Sequence, residues 1–259
     1  MRRTAVRRTA LAVSTLSLAL LVSACGSDDS KDSGAKEKPR GDKSSSSAPA
    51  ASGQKALSQA EVDKAALTEA DLKDHKVTKA TAADMATSKS VDTEKAACKP
   101  IVDVFALRAI GAPGASATRK IMAVPKAPAA NASAEEKAKA GLDALSGTIT
   151  ADTLASYNGN GAADALATLK KAGTDCAGGF TVVADGEKTN ITKVSTGAYA
   201  GGDEAVAFTM TADMEGVSAN HYLVAVRKGS TLATFYAWSL ANKAEQPKAV
   251  IDAQLKKLS

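Results

Sequence analysis

The sequence predicts an α+β domain over residues 57–259, in which helices pack on one face of an antiparallel β-sheet and one disulfide links distant segments. Three observations predict this class. The second half of the chain alternates apolar and polar residues with period two, helical periodicity flanks those strands, and two cysteines remain once the N-terminus is accounted for. About 200 residues are enough for one domain with a substantial core.

The strands are predicted where apolar side chains recur at every second position. Phe180 to Val183 is followed by Asp185-Gly186, which is typical of a hairpin turn, and then by Asn190 to Val194. Further strands are indicated by Val206, Phe208 and Met210, by Tyr222, Val224 and Val226, and by Thr231 to Leu240 with Phe235, Tyr236 and Trp238. Consecutive strands joined by short turns form an antiparallel meander.

Helices are predicted where apolar residues recur with the helical period. They cover Pro100 to Ile110, Ser133 to Leu145, Gly161 to Lys171 and the segment from Pro247 onward, with Lys126 to Asn131 as a Pro- and Ala-rich loop. Eight of the nine aromatic residues lie at or after Tyr157. We therefore expect the Ala- and Lys-rich first part of the domain to be helical or peripheral.

The first 24 residues have the parts of a bacterial lipoprotein signal peptide. Arginines open the segment, and Ala10 to Val22 is an apolar run, shorter than the roughly 20 residues that a membrane-spanning helix needs. Leu21 to Cys25 resembles a lipobox, which implies cleavage after Ala24 and a diacylglyceryl group on Cys25. The alternative is an ordinary secretory peptide with an incidental cysteine.

Residues 25–56 are predicted to be the lipidated cysteine and a disordered tether, because they are rich in Ser, Lys, Gly, Pro and Ala and lack aromatic residues. Two acyl chains are sufficient for stable anchoring. We therefore expect the mature protein at the outer face of the bacterial cytoplasmic membrane. Four arginines leave with the signal peptide, so the net charge falls from +5 to +1, which argues against a nucleic-acid partner.

Cys98 and Cys176 would then be the cysteines left in an oxidising compartment, where such a pair usually forms a disulfide. A metal site is disfavoured because the two cysteines lack Cys-x-x-Cys spacing and the only histidines are His75 and His221. No metal or other cofactor is predicted.

Five short segments of the domain carry a family resemblance: Ala66 to Leu72, Ala97 to Pro100, Leu154 to Tyr157, Ala162 to Leu166, and Asp175 to Phe180. They resemble actinobacterial lipoproteins that are themselves similar to the extracytoplasmic sensor domain of membrane-bound serine/threonine kinases of the PknH type. The resemblance implies an α+β domain with an antiparallel sheet, a cleft for a small ligand and intradomain disulfides. The kinase sensors have two such bridges, whereas this chain can form one.

The sequence contains no Gly-x-Ser-x-Gly elbow, Walker loop or His-Glu-x-x-His motif. We therefore expect a non-enzymatic, sensor-like module that binds a small ligand or an envelope protein and is attached to the membrane through its N-terminal lipid. A carrier of lipid or glycolipid between membrane and cell wall is the alternative, and an envelope enzyme is the third possibility.

The candidate ligand-binding residues are Tyr222, Arg227, Tyr236 and Trp238, since ligand pockets combine an apolar lining with a few polar groups. Such an aromatic cluster is also typical of a core. His221 has the chemistry of a general base or pH sensor, but its position on the strand favours a structural role. The same holds for His75, which lies between charged residues.

Overall fold

The computed structural model describes residues 54–125, 127–214, 216–241 and 244–259 of the chain. The predicted signal peptide, Cys25 and the tether up to residue 53 lie outside the described residues. Within the described ranges, no helix is both long and apolar enough to cross a membrane.

One nine-stranded antiparallel sheet forms the centre of the domain. Its strands are β1 (His75–Lys79), β2 (Asp92–Thr93), β3 (Ala115–Ala123), β4 (Thr148–Ser156), β5 (Phe180–Ala184), β6 (Glu187–Gly197), β7 (Glu204–Met214), β8 (Val217–Lys228) and β9 (Thr231–Ser239). Across the sheet they lie in the order β1-β3-β4-β9-β8-β7-β6-β5-β2. The predicted meander is therefore confirmed as β5 to β9, and the β5–β6 turn has Asp185 and Gly186 at positive φ.

The helices are α1 (Gln59–Ala65), α2 (Ala82–Ser90), α3 (Lys99–Phe105), α4 (Ala134–Ser146), α5 (Gly161–Asp175) and α6 (Lys248–Lys257). The four predicted helices correspond to α3 to α6, and the α+β class is confirmed. Ser58, Thr81 and Ser133 each begin a helix with a reciprocal capping box, which satisfies backbone N–H groups of the first turn.

Helices contact both faces of the sheet, whereas the sequence predicted them on one. Alternation along β8 sends Leu223 and Ala225 to a core cluster under α3 and α5, and sends Val224 and Val226 to a second cluster under α1 and α6. We call these the α3/α5 face and the α1/α6 face. The central strands are apolar at both odd and even positions, so each face must be covered.

The first part of the domain contributes β1, β3 and β4, so the expectation that it would be helical or peripheral is wrong. The strand β4 lies between β3 and β9, where both of its faces are buried. Its sequence is rich in Ala, Ser and Thr, and these small residues can be buried on both faces of the sheet. They give no clear alternation of apolar and polar side chains. In β3 the pair Arg119-Lys120 interrupts the apolar pattern, although Arg119 is itself buried.

The predicted disulfide is present and joins two helices on the α3/α5 face. Cys98 immediately precedes α3 and Cys176 immediately follows α5, with their Cα atoms 5.8 Å apart. Both cysteines are fully buried. The bridge therefore fixes α3 against α5 and, through α5, against the sheet.

The described chain enters at one end of the sheet, which we call the near end. The Gly159 N–H donates to the Gln54 carbonyl oxygen at 2.7 Å, and the Ala56 N–H donates to Asn158 Oδ1 at 2.9 Å. These contacts lie just beyond the C-terminus of β4 and beside the start of β9. Residues 54–56, predicted as the end of the tether, are thus bonded to the domain.

The opposite end of the sheet, the far end, carries most of the exposed large hydrophobic side chains of the described residues. Six of the seven exposed large hydrophobic side chains of the described residues lie there, on the ends of β3, β7, β8, β9 and on α4. We call them the apolar rim: Met122, Val124, Leu142, Met214, Val217 and Leu240. Exposed hydrophobic groups concentrated in one region are typical of a binding surface.

Candidate functional site

A cavity of about 210 Å³ lies on the α3/α5 face toward the far end. Five neighbouring strands supply its floor, and the last residue of α3 covers it. We call it the aromatic cavity, and its lining residues are Phe105, Val182, Thr189, Ile191, Ala212, Met214, His221 and Tyr236. None of these residues carries a full charge at neutral pH when histidine is neutral.

Phe105 reaches the cavity because α3 is held in place along its length. Ile101, Val102 and Val104 are buried against the core. After the helix, Arg108 Nε donates to Asp103 Oδ1 at 2.9 Å and Arg108 Nη2 donates to the Val91 carbonyl oxygen at 3.0 Å. The disulfide fixes the other end of the helix, so both ends of α3 determine where the Phe105 ring lies.

The aromatic rings around the cavity form a contiguous group. The Phe105 and Tyr236 rings meet edge to face with centroids 4.5 Å apart, and the Tyr236 and Trp238 rings stack at 5.1 Å. The His221 ring lies nearly parallel to that of Tyr236, with centroids 5.7 Å apart. Edge-to-face and offset-stacked pairs are the favourable arrangements of aromatic rings. Trp238, the one tryptophan of the chain, therefore stacks on a residue of the cavity lining, Tyr236.

His221 and Tyr236 form a hydrogen-bonded pair in the cavity wall, and Thr189 is the third polar residue of the described lining. His221 Nδ1 and Tyr236 Oη are 2.5 Å apart. Burial lowers the pKa of His221 and raises the pKa of Tyr236, because an apolar surrounding disfavours the charged form of either group. Both groups are therefore neutral near pH 7, and the pair can hydrogen-bond a ligand without presenting a charge.

The structure brings together two of the four predicted ligand residues. Tyr236 lines the cavity and Trp238 stacks on it, whereas Tyr222 lies on the α1/α6 face with Val224 and Val226. Arg227 shares the face of the cavity but lies six residues beyond His221, about 20 Å along β8. There its guanidinium bonds Asp203 Oδ2 at 3.2 Å.

The sequence pattern does not mark two residues of the aromatic cavity, His221 and Phe105, as ligand-binding residues. His221 was expected to have a structural role, and Phe105 was assigned only to an amphipathic helix. The signal for Phe105 was its isolation, because it is the one aromatic residue before Tyr157. His75 lies away from the cavity at the start of β1, with Nδ1 2.8 Å from the Lys73 carbonyl oxygen.

Larger depressions elsewhere on the domain have charged linings. Those of about 590, 530 and 510 Å³ include, respectively, Glu245 and Lys248, Lys99 and Asp164, and Lys79 and Arg108. Within the described residues, no three His, Cys, Asp or Glu side chains come together as a metal site. The aromatic cavity combines an uncharged lining with one polar pair, which is the pattern typical of small-molecule sites.

A buried carboxyl lies on the other face of the sheet. Asp152 of β4 is 1% exposed, and neither carboxyl oxygen has a hydrogen-bond partner among the described residues. Arg119 is its neighbour across the β3–β4 pairing, but Arg119 Nε donates to the Leu67 carbonyl oxygen at 3.2 Å. Burial raises the pKa of Asp152 to about 8, against the opposing effect of the Arg119 charge.

No known protein-family model matches the sequence, and no curated protein matches it. Among solved structures, the extracellular domain of PknH from Mycobacterium tuberculosis is similar to this chain, with a TM-score of 0.46 and 11% sequence identity. The alignment covers 80% of this chain and 97% of that domain. The resemblance noted in the sequence thus has a structural counterpart of low similarity, from which no family membership follows.

Proposed function

We propose that this chain is an extracytoplasmic lipoprotein whose domain is a non-enzymatic binding module for a small apolar ligand. The observation that carries the proposal is the aromatic cavity, an uncharged space beside one His221–Tyr236 hydrogen bond and an aromatic helix residue, Phe105. A preformed apolar space of this kind can gain affinity from contacts with its lining alone, while the polar pair supplies orientation.

The size of the cavity limits the ligand. An enclosed apolar cavity of about 150 Å³ in a protein core takes up benzene. The aromatic cavity differs in being open to solvent on one side. The aromatic cavity, at about 210 Å³, is somewhat larger. It therefore fits one ring with a few further heavy atoms, or a branched aliphatic group of the same volume.

The extracytoplasmic location is supported by two independent features. The N-terminal residues have the order expected of a lipoprotein signal peptide, ending at Cys25. The Cys98–Cys176 disulfide belongs to an oxidising compartment outside the cytoplasm. Together they support a domain displayed on the outer side of the membrane.

The apolar rim favours a second candidate, a carrier of lipid or glycolipid between the membrane and the cell wall. A carrier must accommodate acyl chains, which exceed the volume of the aromatic cavity and would have to extend over the rim. Native mass spectrometry of the protein purified from membranes distinguishes the two functions. A stoichiometric co-purified lipid supports the carrier, and a protein free of lipid that still binds a small apolar probe supports the ligand-binding module.

The direct test of the proposed function is a titration of the purified protein with α-methylstyrene, a neutral probe of suitable size. We expect saturable binding by calorimetry and a parallel change in the emission of Trp238. The variant Thr189→Leu places a larger apolar side chain in the cavity and should weaken binding by about tenfold or more.

The matched control is Thr196→Leu, which makes the same substitution at an exposed position of β6 outside the aromatic cavity. It should bind α-methylstyrene as the parent does. Phe105→Ala tests the cover of the cavity from a different element and should also weaken binding. Absence of saturable binding to the parent, or equal affinity in parent and Thr189→Leu, would refute the proposed site.

A further inference from the structure

We propose that His221 Nε2–H is the hydrogen-bond donor of the aromatic cavity, and that the ligand is a neutral molecule with an apolar body and one carbonyl-type acceptor. This inference rests on the proposed function, because it specifies the chemistry of the ligand in the same cavity. It follows from the direction of the Tyr236–His221 hydrogen bond and from the groups that surround it.

The first step concerns the hydroxyl of Tyr236. The residue is 9% exposed, and its oxygen lies 2.5 Å from His221 Nδ1. A phenol is a better donor than acceptor, and the unprotonated nitrogen of a neutral imidazole is a strong acceptor. The proton in this contact therefore belongs to Tyr236, which donates to Nδ1.

The second step is the tautomer of His221. A neutral imidazole carries one proton, and the partner of one ring nitrogen decides which nitrogen has it. Since Nδ1 accepts from Tyr236, the proton lies on Nε2. Tyr236 is thus a positioning residue that fixes the tautomer, and His221 is the group that meets the ligand.

The third step is what surrounds Nε2. No hydrogen bond from this nitrogen to another described residue is present, while the His221 ring lines the cavity. Among the described residues, the other polar side chains of the lining are Tyr236, whose hydroxyl is engaged with His221 Nδ1, and Thr189. A donor in an otherwise apolar wall favours a ligand that presents an acceptor, because a ligand without one leaves the donor unpaired.

The fourth step excludes charged ligands. Among the residues that the structure describes, the lining includes no lysine, arginine or carboxylate that could pair with an ion. Transferring an unpaired charge into such a site is strongly unfavourable. The site therefore selects ketones, esters, amides or aldehydes with a small apolar body over carboxylates and amines of the same shape.

The test compares three probes of nearly the same shape with the purified protein: acetophenone, α-methylstyrene, in which a methylene replaces the carbonyl oxygen, and benzoate. We expect acetophenone to bind about threefold to tenfold tighter than α-methylstyrene, as one net hydrogen bond implies. Benzoate should bind at least about tenfold more weakly than acetophenone. Tight binding of benzoate would overturn the inference.

Variants identify the donor. His221→Phe should reduce the ratio of the affinities for acetophenone and α-methylstyrene to about one, and Thr189→Val should keep the ratio of the parent. Tyr236→Phe should reduce the preference, because the tautomer is no longer fixed. A preference that survives in His221→Phe and disappears in Thr189→Val would assign the donor to Thr189 and overturn the inference.

The tautomer is measurable in the unaltered protein. The ¹⁵N chemical shifts of the His221 imidazole should show a protonated Nε2 and an unprotonated Nδ1 at pH 7, and Nε2 should shift on addition of acetophenone. A proton on Nδ1 would overturn the inference. If both acetophenone and α-methylstyrene bind equally, the inference fails and the proposed function stands, whereas if neither binds, the proposed function itself fails.

Discussion

At the scale of single residues, burial shifts the pKa values of two titratable side chains in opposite directions. Asp152 is an acid and its pKa rises, whereas His221 is a base and its pKa falls, because in both cases the neutral form is favoured away from water. For His221 the neutral state leaves a nitrogen free to accept the Tyr236 hydrogen bond. For Asp152 it makes the stability of the fold depend on pH.

Asp152→Asn should make the protein more stable than the parent in alkaline solution. The pKa of Asp152 is 3.8 in the unfolded chain and about 8 in the folded protein, so between these pH values only the folded protein keeps the proton. The contribution of Asp152 to the free energy of unfolding is therefore present in full below about pH 4 and is lost as pH rises through about 8. The amide that replaces the carboxyl in the variant cannot ionise. We expect the variant's stability relative to the parent to increase by roughly 2–4 kcal/mol between pH 5 and pH 9, measured by urea unfolding.

Asp143→Asn is the control for this experiment, because Asp143 is an exposed carboxylate on α4. Its unfolding free energy should follow that of the parent at each pH. A parent and an Asp152→Asn variant with parallel pH profiles would show that Asp152 is ionised in the folded protein throughout this range.

The candidate site was partly predictable at this scale. Period two places Tyr236 and Trp238 on one face of β9 and Tyr222 with Val224 on one face of β8, as the structure has them. Alternation within one strand does not reveal the register of its neighbour, which decides that His221 lies beside Tyr236 while Arg227 lies far from it. Joining Phe105 to this group required the position of α3, which no local pattern in the sequence specifies.

At the scale of elements, a strand is easier to predict from the sequence when one of its faces is buried and the other is exposed. The strands β5 and β6 are joined by a recognisable Asp185-Gly186 turn, although a register shift between Ile191 and Lys193 interrupts the alternation of β6. The central strand β4 is buried on both faces and built from small residues, so its pattern is weak. The sequence prediction placed helices on one face only, whereas apolar residues at both parities of β8 and β9 require that both faces be covered.

The disulfide connects element packing with the proposed site. Replacing both Cys98 and Cys176 by alanine opens a loop of 78 residues and should lower the free energy of unfolding by about 4 kcal/mol in the chain-entropy description. Because the bridge fixes α3, affinity for α-methylstyrene should fall as well. Chemical denaturation and calorimetry of the double variant measure the two effects.

The parent protein treated with a reducing agent provides the control, since it loses the bridge without a change of sequence. It should show the same loss of stability as the double variant. Equal unfolding curves for oxidised and reduced parent would contradict a stabilising role of the Cys98–Cys176 bridge. Parent affinity retained in the double variant would show that packing alone positions Phe105.

At the scale of the whole molecule, entry point and cavity are separated along the sheet. Gln54 joins the domain at the near end, beside the start of β9, while Tyr236 and Trp238 lie five and seven residues further along that strand. The separation is about 20 Å. A domain tethered through its N-terminus therefore has the cavity and the apolar rim on the side away from its attachment.

Cys25→Ala tests the proposed attachment. Without the thiol there is no site for diacylglycerol, so we expect the protein to leave the membrane fraction or to accumulate as an unprocessed precursor. Fractionation with mass analysis of the N-terminus measures both outcomes. Ser23→Ala, which keeps a small residue before the cysteine, should remain acylated, and membrane-bound, acylated Cys25→Ala protein would contradict the proposal.

The entry of the chain at the near end also has a practical consequence. Coupling the protein to a sensor surface through residues before Gln54 would keep the coupling chemistry away from the far end. The lone tryptophan beside the cavity would then serve as a label already present in the sequence, so occupancy could be recorded optically on an immobilised sample without attaching a dye. The position of the cavity thus also suits an unlabelled chip assay for screening candidate ligands.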